Sequence, residues 1–179
     1  MATIALDPIG LEMEVQPGGI SLNTPTARVA VVRAPELTRR PNDLQWWLSR
    51  RDPVLVVTAT HASHLFRVSL DTGVTKVAAD LNRKHSDVLG DEVQFLSCRQ
   101  APDGGLLVLY ESGLVCLDAR GKLRWHHLHD DVTASFGTIE QDHVCIERHL
   151  PFDRVRRTYL RLEDGREWLR RVGTPVGPR

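Results

Sequence analysis

Residues 101–125 read APDGGLLVLYESGLVCLDARGKLRW, and this stretch decides the fold of the chain. Its two apolar runs, 106–110 and 114–117, are separated by Glu111-Ser112-Gly113 and flanked by segments that contain Asp and Gly. An Asp side chain accepts hydrogen bonds from the backbone two residues on, and Gly supplies the positive φ that a tight turn needs. We therefore predict antiparallel strands at 106–110, 114–117 and 123–128, preceded by a strand at 93–98.

The same sequence mark, a Leu followed by an acidic residue and then by Gly, occurs four times along the chain. It is present at Leu6-Asp7 with Gly10, Leu70-Asp71 with Gly73, Leu117-Asp118 with Gly121 and Leu162-Glu163 with Gly165. The last three of these acidic residues lie 47 and 45 residues apart, an interval typical of a repeated four-stranded unit. Apolar and polar residues alternate beside the marks, as in antiparallel strands with one solvated face. We predict three four-stranded units, at 28–80, 92–129 and 132–172, preceded at 3–15 by the last hairpin of an incomplete unit.

Residues 113–125, GLVCLDARGKLRW, resemble the repeat of quinoprotein-like and WD40-like β-propellers, in which a strand ending in Leu-Asp turns through Gly-Lys and leads to a Trp. The resemblance is best over 101–125. It implies an all-β fold of antiparallel four-stranded repeats in a propeller-like or open curved arrangement. Three arrangements stay open: the half-unit pairs with the far end, the arc stays open, or a second copy completes it as a homo-oligomer. No residues match the quinone-contacting or calcium-binding positions of the enzymes, so we expect no cofactor.

An inserted segment in the first unit predicts a short helix near 41–50. Leu44, Trp47 and Leu48 lie at helical spacing after a Pro, which is favoured at the first position of a helix. Neighbours on a helix point about 100° apart, so Trp46 and Trp47 cannot face the same core. Either one indole is exposed and binds a protein partner, or both are partly covered beneath the helix.

Length and composition are those of one globular domain. The chain has 179 residues, of which 41% are hydrophobic and 26% are charged, as in an ordinary protein with its own core. We predict a single β-repeat domain over 1–172 and a flexible tail over 173–179, which is rich in Pro and Gly. The 23 acidic and 23 basic residues balance, so no overall charge favours nucleic acid or an anionic membrane.

The cysteines and the apolar segments predict a cytoplasmic location. Cys98, Cys116 and Cys145 lack CxxC spacing and lie in apolar runs, which is typical of buried thiols in a reducing compartment. The first fifteen residues contain acidic and no basic side chains, unlike a signal peptide. No apolar run approaches the roughly 20 residues that cross a bilayer, so we expect no membrane association.

The last unit is basic within a neutral chain. Arg157, Tyr159 and Arg161 are expected on one exposed strand face, where guanidinium groups beside an aromatic ring suit phosphates or nucleobases. Acidic residues interleave with these Arg residues, so a solvated strand with local salt bridges explains the pattern as well.

A cluster of His and Asp residues at 126–131 is the best candidate for a metal site. His127 and His129 would project from one face of a strand, Asp131 follows them, and His143 would approach from the neighbouring hairpin. No second motif with accepted ligand spacing is visible, and a solvated strand end entering an acidic turn explains the cluster equally well.

Catalytic motifs are not visible in the sequence, which lacks a GxSxG elbow, a Walker loop, a GxGxxG helix start and an HExxH pair. We therefore predict a non-enzymatic binding protein that recognises another protein, as bacterial immunity proteins and assembly factors do. Two alternatives stay open. One is a nucleic-acid or phosphate binder that uses the Arg-rich last unit, and the other is a metal-dependent enzyme that uses the His cluster.

Overall fold

Four antiparallel sheets follow one another along the chain in the computed structural model, which describes residues 2–6, 10–83, 96–130 and 133–168. The first sheet contains β1 (Ala2–Leu6), β2 (Leu11–Gln16), β3 (Gly19–Asn23) and β4 (Arg28–Arg33). The second contains β5 (Leu44–Leu48), β6 (Val54–Ala59), β7 (His64–Ser69) and β8 (Thr75–Asp80). The third contains β9 (Leu96–Gln100), β10 (Leu106–Tyr110), β11 (Gly113–Leu117) and β12 (Leu123–Leu128). The fourth contains β13 (Ala134–Ile139), β14 (His143–Leu150) and β15 (Arg154–Arg161).

The predicted all-β class is confirmed, and the Leu-acid-Gly marks at 70–73 and 117–121 form turns between strands, as predicted. Asp118 illustrates the chemistry, because its Oδ1 accepts hydrogen bonds of 2.9 Å from the backbone N–H groups of Arg120 and Lys122. Gly121 closes the turn with a φ of +69°, a conformation that costs a residue with a side chain about 1–2 kcal/mol. The third sheet therefore forms from the strands predicted after residue 105 and from β9 at 96–100. The predicted first three residues of that strand, 93–95, lie outside the described residues.

The predicted unit boundaries are wrong at the amino end. The hairpin expected at 3–15 as part of an incomplete unit is the first half of a complete four-stranded sheet. Residues 28–33 form the last strand of this sheet instead of the first strand of the next. Ile20 and Leu22 in β3 supply buried side chains that hold β2 and β4 together, and this short apolar segment was missing from the predicted strands.

The helix predicted near 41–50 is also wrong. Residues Pro41–Asp43 form one turn of 3-10 helix, as Pro35–Leu37 do before them, and residues 44–48 form β5. This strand pairs with β6 from Leu44 opposite Ala59 to Leu48 opposite Leu55. Because β6 is buried along its whole length, its backbone groups on the side away from β7 need a hydrogen-bonded partner, and an extended segment supplies it.

The sheets pack face to face in chain order, and a separate hydrophobic cluster fills each of the three gaps. On β6, Leu55 and Val57 face the first sheet, whereas Val54 and Val56 face the third. The central strands are thus buried on both faces, which explains their nearly continuous apolar sequences. None of the three clusters joins the first sheet to the fourth within the described residues. Within the described residues, the arrangement fits a propeller-like arc of four sheets. The first and the fourth sheet each have one face that takes no part in these three clusters, and we call it the free face of that sheet.

Two further predictions fall mostly outside the described residues. Leu160 pairs with Glu167 in an isolated bridge. The last predicted unit continues to residue 172 and the predicted tail covers 173–179, and residues 169–179 are not described. Across the described ranges, no helical segment has the length and apolar character that a membrane span requires.

Candidate functional site

The free face of the first sheet is a polar surface whose groups bond to one another. The side-chain amide of Gln16 donates to Glu14 at 3.0 Å and to Ser21 at 3.2 Å, and Asn23 donates to the same Ser21 hydroxyl at 3.3 Å. Polar outer faces of this kind protect the end units of repeat proteins from association. This end of the arc therefore has the character of a cap.

The free face of the fourth sheet has a different chemistry. On β14 and β15, side chains that point away from the third sheet alternate with Val144, Ile146 and Leu160, which pack in the cluster between the third and fourth sheets. The register sets three outward pairs opposite each other: His143 with Arg161, Cys145 with Tyr159, and Glu147 with Arg157. We call this surface, together with Trp168, the fourth-sheet face.

Three aromatic rings contact one another on the fourth-sheet face, in tilted and edge-to-face arrangements. The backbone N–H of Trp168 donates to the carbonyl of Tyr159 at 2.7 Å, which brings the indole onto the sheet. Its ring centroid lies 4.3 Å from that of His143 and 6.5 Å from that of Tyr159, and the His143 and Tyr159 centroids are 5.6 Å apart. Such contacts order the rings before any ligand binds, so little side-chain entropy remains to be lost on binding.

Charged groups of both signs surround these rings. Arg157 donates to Glu147 at 2.8 Å, and this hydrogen bond with its charge raises the pKa of the Arg157 guanidinium above its ordinary value. The Arg157 side chain still has 57% of its surface exposed. Arg161 is paired with Asp164. The face therefore offers guanidinium groups that are held in place by carboxylates but remain accessible.

The hairpin of β14 and β15 extends beyond β13 and ends in an exposed apolar tip. Phe152 is 90% exposed and has a φ of +65°, a conformation that is strained for a bulky residue. Leu150 and Val155 are also exposed beside it. Neither packing nor backbone preference explains an aromatic residue at this position, and backbone strain of this kind is a reason to consider a function for it.

A cavity of about 450 Å³ opens between the third and fourth sheets, next to the fourth-sheet face. Its polar lining includes Asp103, Arg124, Gln141, Asp142, Arg161 and Trp168. Arg124 and Asp103 form an ion pair of 2.6 Å. Burial alone would raise the pKa of Asp103, but the backbone N–H of Gly105 and the Arg124 side chain together hold it below its ordinary value.

The predicted binding residues fall into two groups. Arg157, Tyr159 and Arg161 alternate along β15 and share the fourth-sheet face. Trp46 and Trp47 lie on β5 in the second sheet, where they point to opposite faces because they are neighbours on a strand. Trp46 is 43% exposed, whereas Trp47 packs against the cluster between the second and third sheets.

Among the described residues, the predicted metal ligands His127, His129 and His143 do not form a group of three whose ligand atoms lie within 4.8 Å of one another. His127 and His129 lie at the end of the third sheet, and Asp131 falls outside the described residues. His143 lies instead with Glu140 and Asp142, in the only described group of three or more His, Cys, Asp or Glu residues whose ligand atoms lie within 4.8 Å of one another. The hairpin between β13 and β14 brings these three close in space because they are close in sequence.

Sequence reasoning missed two residues of this region. Trp168 gives no local signal, because its contact with His143 depends on the bridge between residues 160 and 167. Phe152 is the second of these residues. The sequence feature that could have identified it is the presence of a bulky aromatic residue in the turn Pro151-Phe152-Asp153, where polar residues and Gly are usual.

Comparison with known proteins does not assign a family. No protein-family profile and no curated protein sequence matches this chain. Similar solved structures include a protein of unknown function from Bacteroides caccae, with 16% identity and a TM-score of 0.37, and a streptogramin B lyase, with 12% identity and a TM-score of 0.43. The matches cover 88% and 86% of this chain but 55% and 59% of the other two. This chain thus spans little more than half of their length, and neither similarity extends to function.

Proposed function

We propose that this protein is a non-enzymatic binding protein that recognises another protein through the fourth-sheet face and the adjoining hairpin tip. The observation that supports this most directly is the contrast between the two free ends of the arc. One end has polar groups that bond to one another, whereas the other has a cluster of His, Tyr and Trp rings in mutual contact beside accessible Arg side chains. Tyr, Trp and Arg are the residue types that contribute most to protein–protein binding energy.

A protein partner fits the charge distribution better than a polyanion does. Glu147 and Asp164 pair with Arg157 and Arg161 on the same surface, and the whole chain has no net charge. A partner with both acidic and basic groups can match such a mixed surface, since electrostatic complementarity selects a partner by its charge pattern. Immunity-type and assembly-type proteins are the two partner-binding classes that we retain.

The test is a pull-down from cells of the source organism with the full chain as bait. We expect one partner at a stoichiometric ratio, and we expect the double variant Arg157→Ala/Tyr159→Ala to lose it while keeping a native circular dichroism spectrum. The matched control is Glu12→Ala on the free face of the first sheet, which should retain the partner. Equal recovery by the double variant would show that the fourth-sheet face is not the binding surface.

Binding of nucleic acid or phosphate is the second candidate, and one observation favours it. Arg154 and Arg156 flank the hairpin tip and form no ion pair with any described residue. If this function holds, retention on a heparin column should fall with rising salt and should weaken in Arg154→Ala/Arg156→Ala. Elution of the wild-type chain near the void volume at 50 mM salt would reject it.

A further inference from the structure

The turn between β13 and β14 holds a buried imidazole beneath two exposed carboxylates. The His143 side chain is 5% exposed, whereas those of Glu140 and Asp142 are 61% and 73% exposed. The backbone positions are well defined, because the N–H of Glu140 donates to the carbonyl of His143 at 2.8 Å. The N–H of Leu162 donates to the carbonyl of Asp142, also at 2.8 Å, which ties this turn to the end of β15.

Hydrogen bonding sets the orientation of the His143 ring. Its Nδ1 lies 2.7 Å from Oδ1 of Asp142, so Nδ1 carries the hydrogen and donates it to the carboxylate. The neutral ring then has its lone pair on Nε2. This atom lies 3.8 Å from Oε1 of Glu140, which is too far for a hydrogen bond.

We propose that Glu140, Asp142 and His143 form a binding site for a divalent transition-metal ion such as Zn²⁺. Nε2 of His143 and the carboxylate of Glu140 would be the protein ligands, since an ion about 2.1 Å from each atom fits between two atoms that are 3.8 Å apart. Asp142 is a positioning residue, because a carboxylate on the other ring nitrogen fixes the tautomer and raises the basicity of the ligand. Water or a ligand group completes the coordination.

The donor set selects the class of ion. One imidazole and one carboxylate suit Zn²⁺, Co²⁺, Ni²⁺ or Cu²⁺, whereas Mg²⁺ and Ca²⁺ prefer sites made of oxygen atoms. This site is separate from the His127 and His129 pair on the third sheet. It also does not depend on the proposed protein-binding function, although it shares His143 with the fourth-sheet face.

Trp168 provides a local reporter for this site. Its ring centroid is 4.3 Å from that of His143, so a paramagnetic ion on Nε2 should quench its fluorescence. We expect Cu²⁺ to quench the part of the emission that Trp168→Phe removes. Quenching of equal size in Trp168→Phe would mean that copper binds elsewhere.

The main test is calorimetric titration of the full chain, without a histidine tag, with Zn²⁺ alone. We expect one site per chain that excess Mg²⁺ does not compete for. Glu140→Gln changes an exposed group and should weaken Zn²⁺ binding at least 10-fold, and Asp142→Asn should weaken it about 10- to 100-fold. His149→Ala, which removes an exposed His further along β14, is the control and should bind as the wild type does. Binding that Glu140→Gln and Asp142→Asn leave unchanged, or no binding at millimolar Zn²⁺, would overturn the proposal.

Discussion

The indole N–H of Trp125 donates a hydrogen bond of 2.8 Å to the carbonyl oxygen of Leu162. Trp125 lies on β12 in the third sheet, and Leu162 directly follows β15 in the fourth. The bond therefore joins two consecutive sheets at a buried position. It gives a structural reason for the Trp that follows the Gly-Lys turn in residues 113–125, since this residue anchors the next unit.

Replacing Trp125 should weaken the contact between the third and fourth sheets. Trp125→Phe leaves the Leu162 carbonyl without this donor and removes buried ring volume, so we expect a loss of about 1–3 kcal/mol in the free energy of unfolding. Urea denaturation followed by circular dichroism measures it. Trp46→Phe, at a 43% exposed indole, is the control and should change stability by less than about 1 kcal/mol. Similar losses in the two variants would contradict the assigned role.

Gly165 supports the same contact from the fourth sheet. Its φ is +71°, and a Cβ atom at this position would lie 2.6 Å from Cδ2 of Trp125. Gly165→Ala should therefore destabilise the protein by about 2 kcal/mol or more, because backbone strain and a steric clash add together. Gly10→Ala has a similar φ of +63° but no atom within 4 Å of the added Cβ. Gly10→Ala therefore measures the cost of backbone strain alone. An equal loss of stability in Gly10→Ala and Gly165→Ala would show that the clash with Trp125 is absent.

Glu111 and Arg83 form a buried ion pair at the end of the second and third sheets. The Glu111 side chain is fully buried, and Arg83 also donates to the carbonyls of Thr60 at 2.7 Å and Ala62 at 3.2 Å. Glu111→Gln removes the negative charge from this buried guanidinium and should cost about 3–5 kcal/mol of stability.

The matched control for this pair is Asp164→Asn, which removes the carboxylate from a partly exposed partner, Arg161. An exposed pair contributes about 0–1 kcal/mol, so the control should unfold at nearly the wild-type urea concentration. A small effect of Glu111→Gln, no larger than that of the control, would mean that water reaches the Arg83 charge.

Stability should fall on mild acidification because of His126. Burial lowers the pKa of this imidazole, and its Nε2 lies 2.6 Å from the Tyr110 hydroxyl, which accepts from the Asn82 N–H at 3.1 Å. The hydroxyl therefore donates to a neutral ring. Since the pKa in the folded state lies below the unfolded value of about 6.5, the stabilisation is present above pH 6.5. It is lost as the pH falls through the lower folded value.

Urea midpoints at pH 7.5, 6.5 and 5.5 test this dependence. His126→Gln keeps a hydrogen-bond acceptor but cannot titrate, so its midpoint should fall less over this range than that of the wild type. Because burial also lowers the pKa of His127, part of the pH dependence of stability should remain in His126→Gln. If the urea midpoints of the wild type and His126→Gln fall by the same amount between pH 7.5 and 5.5, His126 does not cause the pH dependence of stability.

The strained hairpin tip should tolerate loss of its aromatic ring. Phe152 is 90% exposed at a φ of +65°, so Phe152→Gly removes strain and little packing. We expect unchanged stability or a gain of up to about 1 kcal/mol, measured by thermal unfolding. Phe136, which packs against the cluster between the third and fourth sheets, is the comparison, and Phe136→Ala should cost about 1.5–3 kcal/mol. A clear loss in Phe152→Gly would assign the ring a structural role.

Local chemistry in the sequence determined the all-β class, the turns at the Leu-acid-Gly marks and most strands of the third sheet. These features depend on contacts between residues a few positions apart, such as Asp118 with the N–H groups of Arg120 and Lys122. The grouping of Arg157, Tyr159 and Arg161 on one face follows in the same way, because residues two apart on a strand share a face.

Only the tertiary structure decided which strands share a sheet and which side chains meet. Residues 44–48 are compatible with a helix by spacing, and they become a strand because β6 needs a partner for its buried backbone. Trp168 meets His143 only after the chain returns beyond β15, and Arg83 meets Glu111 across 28 positions of sequence. Such contacts are invisible in local patterns because they depend on how separate sheets pack, and packing is decided by the whole set of buried surfaces.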